Sequence, residues 1–238
     1  NKNIDYSKIA KDLNISEIIS KILVNRNIYD YDQIDRFINP NIDKLYSPIL
    51  MFDLVKGAKI IEESIKNCEK IRIVGDFDVD GVMSVYILYK SLKSLGANVD
   101  YKIPDRIQDG YGINNDIVNE ANSDGIRLII TCDNGIAALE QIRLAKELGL
   151  KIIITDHHDL PYFEEEGIKN QIIPEADAVI NPKNPNCNYP FKSLCGAGVA
   201  FKLINYLFTL YNRKVDSLKY LEFVAIATVC DVVNLVDE

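Results

Sequence analysis

Five short strand-like runs, most of them apolar, recur between residues 71 and 180, and stretches of helical periodicity separate most of them. Runs of this length and composition suit parallel strands that are buried on both faces of a sheet. Alternation of strands and helices at this spacing is typical of an α/β fold. We therefore predict a doubly wound, mainly parallel five-stranded sheet with helices on both faces and the strands Ile71–Gly75, Val99–Ile103, Leu128–Cys132, Lys151–Thr155 and Ala178–Ile180.

Amphipathic stretches predict the helices. Residues 1–48 are predicted to form a helical N-terminal lead-in, in which Ser16 and Asp30 cap two helices and Asn39-Pro40 ends the pattern. Residues 49–238 are predicted to form the α/β domain. Its helices are predicted at Phe52–Lys66, Val82–Leu95, Ile136–Leu148, Gly198–Tyr211 and Leu218–Val229.

Composition narrows the class of protein. No run reaches the ~18 apolar residues of a membrane span, and no signal peptide opens the chain. The five cysteines are scattered and never spaced as Cys-x-x-Cys, which argues against a disulfide framework or a thiolate zinc site and favours a reducing cytoplasm. Because the chain begins with Asn1 rather than Met, we expect it to be part of a longer protein.

The formal net charge of −8 would by itself disfavour a polyanionic substrate. Many of the acids, however, are concentrated in a few short segments. Two divalent cations bound among them would restore about four positive charges at that place. Net charge therefore does not exclude a nucleic-acid substrate.

Carboxylates and both histidines of the chain follow the predicted strands. In open α/β sheets, ligands bind beyond the carboxyl ends of the strands. Residues that are distant in sequence are thus expected to meet at one edge of the sheet. They are Asp76, Asp78 and Asp80 after the first strand, Asp133 after the third, and Asp156, His157 and His158 after the fourth.

Each of these motifs also has a simpler interpretation. Asp76–Gly81 matches the start of a calcium EF-hand loop, but the twelfth position is Ile87 instead of Glu. The same acids are typical of a helix N-terminus, and Asp133–Gly135 is a common turn sequence. Asp231 follows an apolar run and is either a polar residue at a helix end or a costly charge that needs a partner or a metal. The simpler interpretations would all have to hold at once for four separate segments that meet at one edge of the sheet. A single functional site explains the convergence better.

The donor set indicates the chemistry. Carboxylates and imidazoles without thiolates suit Mn²⁺ or Mg²⁺ and accept Zn²⁺ or Fe²⁺. This many donors suits two ions about 3.5–4 Å apart, bridged by one carboxylate and a water. Such a pair lowers the pKa of water and offsets charge on phosphate oxygens, so the predicted reaction is hydrolysis of a phosphoester or phosphoanhydride.

Several motifs together resemble the DHH phosphoesterase superfamily and, within it, the RecJ family of bacterial single-strand-specific 5′→3′ exonucleases. The superfamily motifs are Val74–Gly81, Thr131–Ile136 and Asp156–His158. The RecJ-like segments are Ile103–Arg106 with Gly110–Gly112, Leu194–Lys202, Ala227–Val233 and, in the lead-in, Asn25-Arg26 and Phe37–Pro40.

The resemblance implies a metal-dependent exonuclease that acts on single-stranded DNA in DNA repair and recombination, with two Mn²⁺ or Mg²⁺ ions. A water activated by the ions would be the nucleophile, without a covalent enzyme intermediate. His158 is expected to contact the scissile phosphate, and Asp156 to orient a histidine. The metal ligands implied are Asp76, Asp78, Asp80, Asp133 as the bridge, His157 and Asp231.

Substrate contacts are also predicted. Arg106 is the leading phosphate-binding side chain, with a surface salt bridge as the alternative. Gly196 and Gly198 precede a helix, so their amides are expected to approach a nucleic-acid backbone, although tight packing also explains the pair. Tyr111 is expected either to stack on a base or to pack in the core. Further cationic candidates are Lys183, Lys192 and Lys202.

The chain departs from the family in two respects. Val74 stands where many superfamily members have His, so one ion is expected to be held by acids alone or less tightly. From the end of the sequence at Glu238 we expect the second domain and the oligonucleotide-binding fold of RecJ to be missing from this fragment, and the fragment to digest DNA slowly. Helicases or single-strand-binding proteins are partners that the resemblance allows. The alternatives are a phosphodiesterase for nanoRNA, cyclic dinucleotides or pyrophosphate, and a non-catalytic replication scaffold.

Overall fold

The computed structural model describes residues 4–107, 110–165 and 167–238, so residues 1–3 of the predicted lead-in lie outside the described part. The chain divides into two compact units. One comprises the N-terminal residues through Tyr46 together with Leu235–Glu238, and the other is Ser47–Asn234. The predicted division at residue 48 stays a prediction.

The N-terminal unit is helical. Its core consists of Ile9, Leu23, Ile28 and Ile34. The two predicted caps are present, since Ser16 Oγ accepts a hydrogen bond from the Ile19 amide and Asp30 accepts bonds from the first turn of its helix. The helices are α1 Tyr6–Asp12, α2 Glu17–Asn25 and α3 Tyr31–Ile38, followed by a 3₁₀ helix at Ile42–Lys44.

A five-stranded parallel sheet forms the centre of the second unit and confirms the predicted fold class. The strands are β1 Lys70–Val74, β2 Asn98–Lys102, β3 Leu128–Cys132, β4 Lys151–Thr155 and β7 Ala178–Ile180, while β5 Tyr162–Glu165 and β6 Ile168–Gln171 form a separate antiparallel hairpin. The strand order in the sheet is β2-β1-β3-β4-β7. The chain therefore leaves β1 toward one side of the sheet and continues through β3 and β4 on the other, which places a topological switch point between β1 and β3.

Helices cover both faces of this sheet. They are α4 Leu54–Lys66, α5 Val79–Ser94, α6 Asn115–Ser123, α7 Leu139–Glu147, α8 Gly196–Leu210 and α9 Leu221–Cys230, with 3₁₀ helices at Pro48–Leu50 and Lys214–Tyr220. Because successive strand residues point to opposite faces, Ile152 and Ile154 pack in a cluster with residues of α6 and α7. Ile153 lies against α4 on the other face.

Some predicted boundaries are wrong. The helix predicted from Ile136 begins at Leu139, because Gly135 has a φ of +106° and the chain turns there. The helix predicted from Leu218 begins as the 3₁₀ helix and becomes α9 only at Leu221. Helices α1 and α6 and the hairpin of β5 and β6 were not predicted. No helix within the described ranges has the length and apolar character to cross a membrane.

Candidate metal centre

The predicted acidic and histidine residues meet at the carboxyl edge of the sheet, at the switch point. Asp76 follows β1, Asp133 follows β3, and His157 follows β4, and these three strands are neighbours. Asp231 reaches the same place from the end of α9. The convergence expected from the strand ends is thus present in the structure.

The donor atoms form three overlapping groups, and within each group all of the atoms lie within 4.8 Å of one another. Nε2 of His157 lies 3.1 Å from Oδ1 of Asp133, 3.6 Å from Oδ2 of Asp80 and 3.7 Å from Oδ2 of Asp231. Asp133 and His157 each belong to two groups, so the groups form one connected centre. The groups are Asp76–Asp78–Asp133, Asp80–His157–Asp231 and Asp133–His157–His158.

Buried donor atoms in this centre have no hydrogen-bond partner among the described residues. They are Oδ1 of Asp76, Oδ1 of Asp133 and Nε2 of His157. Buried polar atoms are almost always partnered, by protein, water or an ion. Oxygen and imidazole donors arranged in this way fit a divalent cation of the Mn²⁺ or Mg²⁺ kind.

Electrostatics also favour a cation. Burial, together with the nearby carboxylates of Asp80 and Asp78, raises the pKa of Asp133 to about 10. Burial likewise raises the pKa values of Asp76 and Asp80 above the ordinary range for aspartate. A bound divalent ion is the largest charge in such a site and reverses this effect, so that the carboxylates ionise.

A tight turn places the first acids. Asp78 caps α5 by accepting a hydrogen bond from the Gly81 amide at 2.9 Å. A Cβ on Gly81 would lie 2.5 Å from the carbonyl oxygen of Asp76, so only glycine permits the turn. The helix-cap interpretation of Asp78 is therefore correct, and it coexists with membership of a donor group.

Asn134 fixes the end of β3. Asp133 has a left-handed backbone with φ +61°, which Asp tolerates better than most residues. The buried side-chain amide of Asn134 donates to the carbonyl oxygens of Val74 at 3.1 Å and Cys132 at 2.8 Å, and its oxygen accepts from the Ile113 amide at 3.2 Å. It thereby ties β1, β3 and the loop before α6 together. Sequence reasoning missed this role because Asp-Asn-Gly is also a common turn.

Asp156 orients the second histidine rather than the first. Asp156 is 1% exposed, and Oδ1 lies 2.8 Å from Nδ1 of His158 and accepts the amides of His157 and His158. Burial disfavours its ionisation, but the hydrogen bonds from His158 and from the Ile136 amide hold the pKa of Asp156 below the ordinary range. The bond to Asp156 in turn raises the pKa of His158.

Tyr111 lies beside His158. Its hydroxyl donates to the carbonyl oxygen of Asp133 at 3.0 Å and lies 3.4 Å from Nε2 of His158. Burial and the surrounding acids raise the pKa of Tyr111, so the phenol is a neutral donor. A cavity of about 570 Å³ opens next to these two rings, between the loop before α6 and the start of α7.

The start of α8 holds Asp80 in place. The amides of Gly196 and Ala197 donate to the two carboxylate oxygens of Asp80 at 2.6 and 2.7 Å. We predicted that the Gly196 amide approaches a nucleic-acid backbone. The structure contradicts this prediction, because the amide instead donates to the carboxylate of Asp80 and positions it. A Cβ on Gly196 would lie 2.7 Å from Cβ of Asp133, which explains the glycine. The approach of the Gly198 amide to a nucleic-acid backbone stays a prediction.

The predicted cationic contacts differ in position. Arg106 is exposed, and its guanidinium lies 5.2 Å from the centre of the Phe77 ring. Lys202 is only 3% exposed, with its ammonium over Tyr189, so its burial contradicts a contact with nucleic acid. Lys192 donates to backbone carbonyl oxygens, and Lys183 pairs with an aspartate.

The sequence also matches a known family model. The N-terminal domain of the DHH family matches residues 70–228. The chain belongs to the DHH family. Among curated DHH relatives, it is similar to the single-stranded-DNA-specific exonuclease RecJ of Bacillus subtilis, with 39% identity over 97% of this chain and 28% of that protein. It is also similar to RecJ of Escherichia coli, with 38% identity over 76% of this chain and 32% of that protein.

Comparison with solved structures also shows similarity to RecJ. A crystal structure of exonuclease RecJ bound to manganese is 30% identical, with a TM-score of 0.68, over 79% of this chain and 46% of that chain. RecJ from Thermus thermophilus in complex with Mn²⁺ is 26% identical, with a TM-score of 0.75, over 97% of this chain and 31% of that chain. The chain thus spans about a third of the length of the curated relatives described above.

Proposed function

We propose that this chain carries the metal centre of a single-strand-specific DNA exonuclease that hydrolyses phosphodiesters with two divalent ions, in DNA repair and recombination. The observation that carries the proposal is the position of Asp133 between two donor groups: it belongs to the group with Asp76 and Asp78, and its Oδ1 lies 3.1 Å from Nε2 of His157, which belongs to the group with Asp80 and Asp231. A carboxylate that borders two sets of donors suits the two-metal hydrolysis of phosphoesters. The likeness to RecJ proteins supports the substrate and the 5′→3′ direction.

The residues divide into two ligand sets around that carboxylate. Asp76, Asp78 and Asp133 would hold one ion, and Asp80, His157 and Asp231 the other, with Mn²⁺ or Mg²⁺ as the metal. Ions bound there lower the pKa of a water and offset the negative charge of the phosphate. The amides at the start of α8 orient Asp80 and so keep the second set in place.

His158 is proposed to contact the scissile phosphate. Its Nδ1 is engaged by Asp156, which presents Nε2 on the open side of the centre, where the side chain is 46% exposed. The hydrogen bond that Nδ1 of His158 donates to Asp156 favours the protonated ring, which suits a donor to phosphate or to the leaving oxygen. Asp156 is a positioning residue in this proposal.

Arg106 is proposed to bind a phosphate of the strand near the centre. Burial raises the pKa of Asp76, and the positive charge of Arg106 opposes that rise, so the guanidinium lies within electrostatic reach of the acids. The planar guanidinium suits bidentate contact with phosphate.

Helicases or single-strand-binding proteins are the proposed partners, and the cytoplasm is the proposed location.

Hydrolysis of matched substrates tests the function. The protein is incubated with Mn²⁺ and either a 5′-phosphorylated single strand, the dinucleotide pApA or pyrophosphate, with Asp133→Ala as the inactive control. We expect release of mononucleotides from the 5′ end of the strand. A clear preference for pApA or pyrophosphate would reject the exonuclease, and failure to bind Mn²⁺ in calorimetry would instead support a non-catalytic scaffold.

A further inference from the structure

A second groove lies at the start of α4, outside the metal centre. It has a volume of about 530 Å³. Apolar side chains, lysines and side-chain amides line it together. We call it the α4 groove and define it by Ile49, Phe52, Lys56, Lys59, Asn186 and Asn188.

The α4 groove lies at the same edge of the sheet as the metal centre. Oδ2 of Asp53, directly before α4, accepts a hydrogen bond from the amide of Val179 in β7 at 3.0 Å. Gly57, one turn into α4, packs against Ile180 at the carboxyl end of β7. The first turn of α4 therefore lies beside the carboxyl end of β7, which is the neighbour of β4 and its histidines.

One chain segment connects the two places. Asn181, the residue after β7, donates from its side chain to the carbonyl oxygen of His158 at 2.9 Å. The same segment continues to Asn186 and Asn188 in the groove, and the Phe52 amide contacts Sγ of Cys187 at 3.4 Å. The segment from Asn181 to Asn188 therefore runs from the histidines of the metal centre to the α4 groove along this edge of the sheet.

The charge of the groove is opposite to that of the chain. Lys56 and Lys59 lie one turn apart on α4, both are exposed, and neither forms an ion pair with a described residue. The chain as a whole has a formal net charge of −8, whereas these two lysines give this face of α4 a local positive charge. Unpaired lysines on one helix face favour an anionic ligand.

The apolar side chains indicate which anion. Phe52 is 38% exposed and Ile49 is 59% exposed, although both are large apolar residues. Single-stranded nucleic acids bind where aromatic rings stack on bases beside a cationic track for the phosphates. Asn186 and Asn188 add amides that donate to and accept from base edges.

We propose that the α4 groove binds the part of a single nucleic-acid strand that lies beyond the nucleotides at the metal centre. This inference rests on the proposed function for the identity of the strand. The lysines contact phosphates, and Phe52 stacks on a base. The groove extends the substrate contact to a second place on the same edge of the sheet.

Oligonucleotide binding tests the groove. The affinity of a fluorescent thymidine strand of about twelve nucleotides, a length within the range of single-strand sites, is measured by anisotropy in EDTA at several salt concentrations. We expect Lys56→Gln with Lys59→Gln to lower the affinity and to reduce the slope of log K against log salt by about 0.7 per lysine. Phe52→Ala should lower the affinity about tenfold with an unchanged slope.

The control is Lys66→Gln with Lys70→Gln, which removes the same charge at the opposite end of α4 and the start of β1. An equal loss in this control, or parent-like affinity in the groove variants, would overturn the proposal. Binding of an acidic peptide without binding of the oligonucleotide would also overturn it, in favour of a protein partner. Failure of the proposed function is distinguishable, because it would appear as absent Mn²⁺-dependent hydrolysis of bis(p-nitrophenyl) phosphate by the parent protein.

Discussion

Replacing Gly196 by Ala tests whether the start of α8 sets the position of the central carboxylate. The added methyl group would lie 2.7 Å from Cβ of Asp133 and 2.8 Å from its Oδ1. Non-bonded carbon atoms prefer separations of about 3.5–4.0 Å. Asp133 or the first turn of α8 must therefore move by roughly 1 Å to accept the methyl group.

The expected losses of stability and of metal affinity follow from the contacts that Asp133 and the first turn of α8 make. Overpacking of a tight contact costs about 1–3 kcal/mol of the free energy of unfolding. Because the amides of Gly196 and Ala197 hold Asp80, a movement of α8 displaces a carboxylate of each ligand set. Displacement of groups that orient metal ligands lowers metal affinity by about 10–100-fold.

The measurements are Mn²⁺ titration by calorimetry and urea unfolding in EDTA. The matched control is Gly198→Ala, whose methyl group would meet only the side chain of Leu194, at 3.2 Å. That side chain can rotate away, so we expect parent-like Mn²⁺ affinity in the control. Unchanged Mn²⁺ affinity in Gly196→Ala, or an equal loss in both variants, would refute the reasoning.

Three further predictions concern the same centre. His157→Ala should weaken Mn²⁺ binding, whereas His158→Ala should keep it and lose most turnover; equal Mn²⁺ affinity in calorimetry would reject this division. Because the pKa of Asp133 is raised to about 10, the folded metal-free protein retains a proton that the unfolded chain releases near pH 3.9. The contribution of Asp133 to stability should be largest below that pH and fall as pH rises toward 10; a urea-midpoint slope that is unchanged in Asp133→Asn would contradict this. Asn134→Ala removes three buried hydrogen bonds to backbone groups and should lower the free energy of unfolding by about 3 kcal/mol; a parent-like midpoint would disprove it.

The sheet and the convergence of donors could be predicted because both depend on local sequence. Most strands of the sheet contain a short apolar run, as in Leu128–Cys132, so they carry a strong signal. Parallel strands also fix where their following residues lie, so Asp76, Asp133 and His157 were expected to meet without knowledge of the strand order. The order itself was not predicted, because several orders satisfy the same pattern.

The roles of residues that act through distant contacts could not be predicted. Gly196 looked like an amide available to a ligand, and only the packing of α8 on Asp133 shows why it is glycine. Lys202 looked like a surface cation, yet it is buried against Tyr189. Helix α6 was missed because its stripe of Ile117, Val118 and Ala121 is short and polar residues surround it.

The metal ligands are far apart in the sequence, and this spacing has a consequence for folding. Asp76 follows the first strand and Asp231 ends the last helix, so ions that bind both sets join the two ends of the domain. The entropy cost of closing a loop rises with its length, and a ligand that binds only the folded state stabilises that state. Divalent ions would thus act as a reversible cross-link, and the supply of metal would govern how firmly α9 stays docked on the sheet.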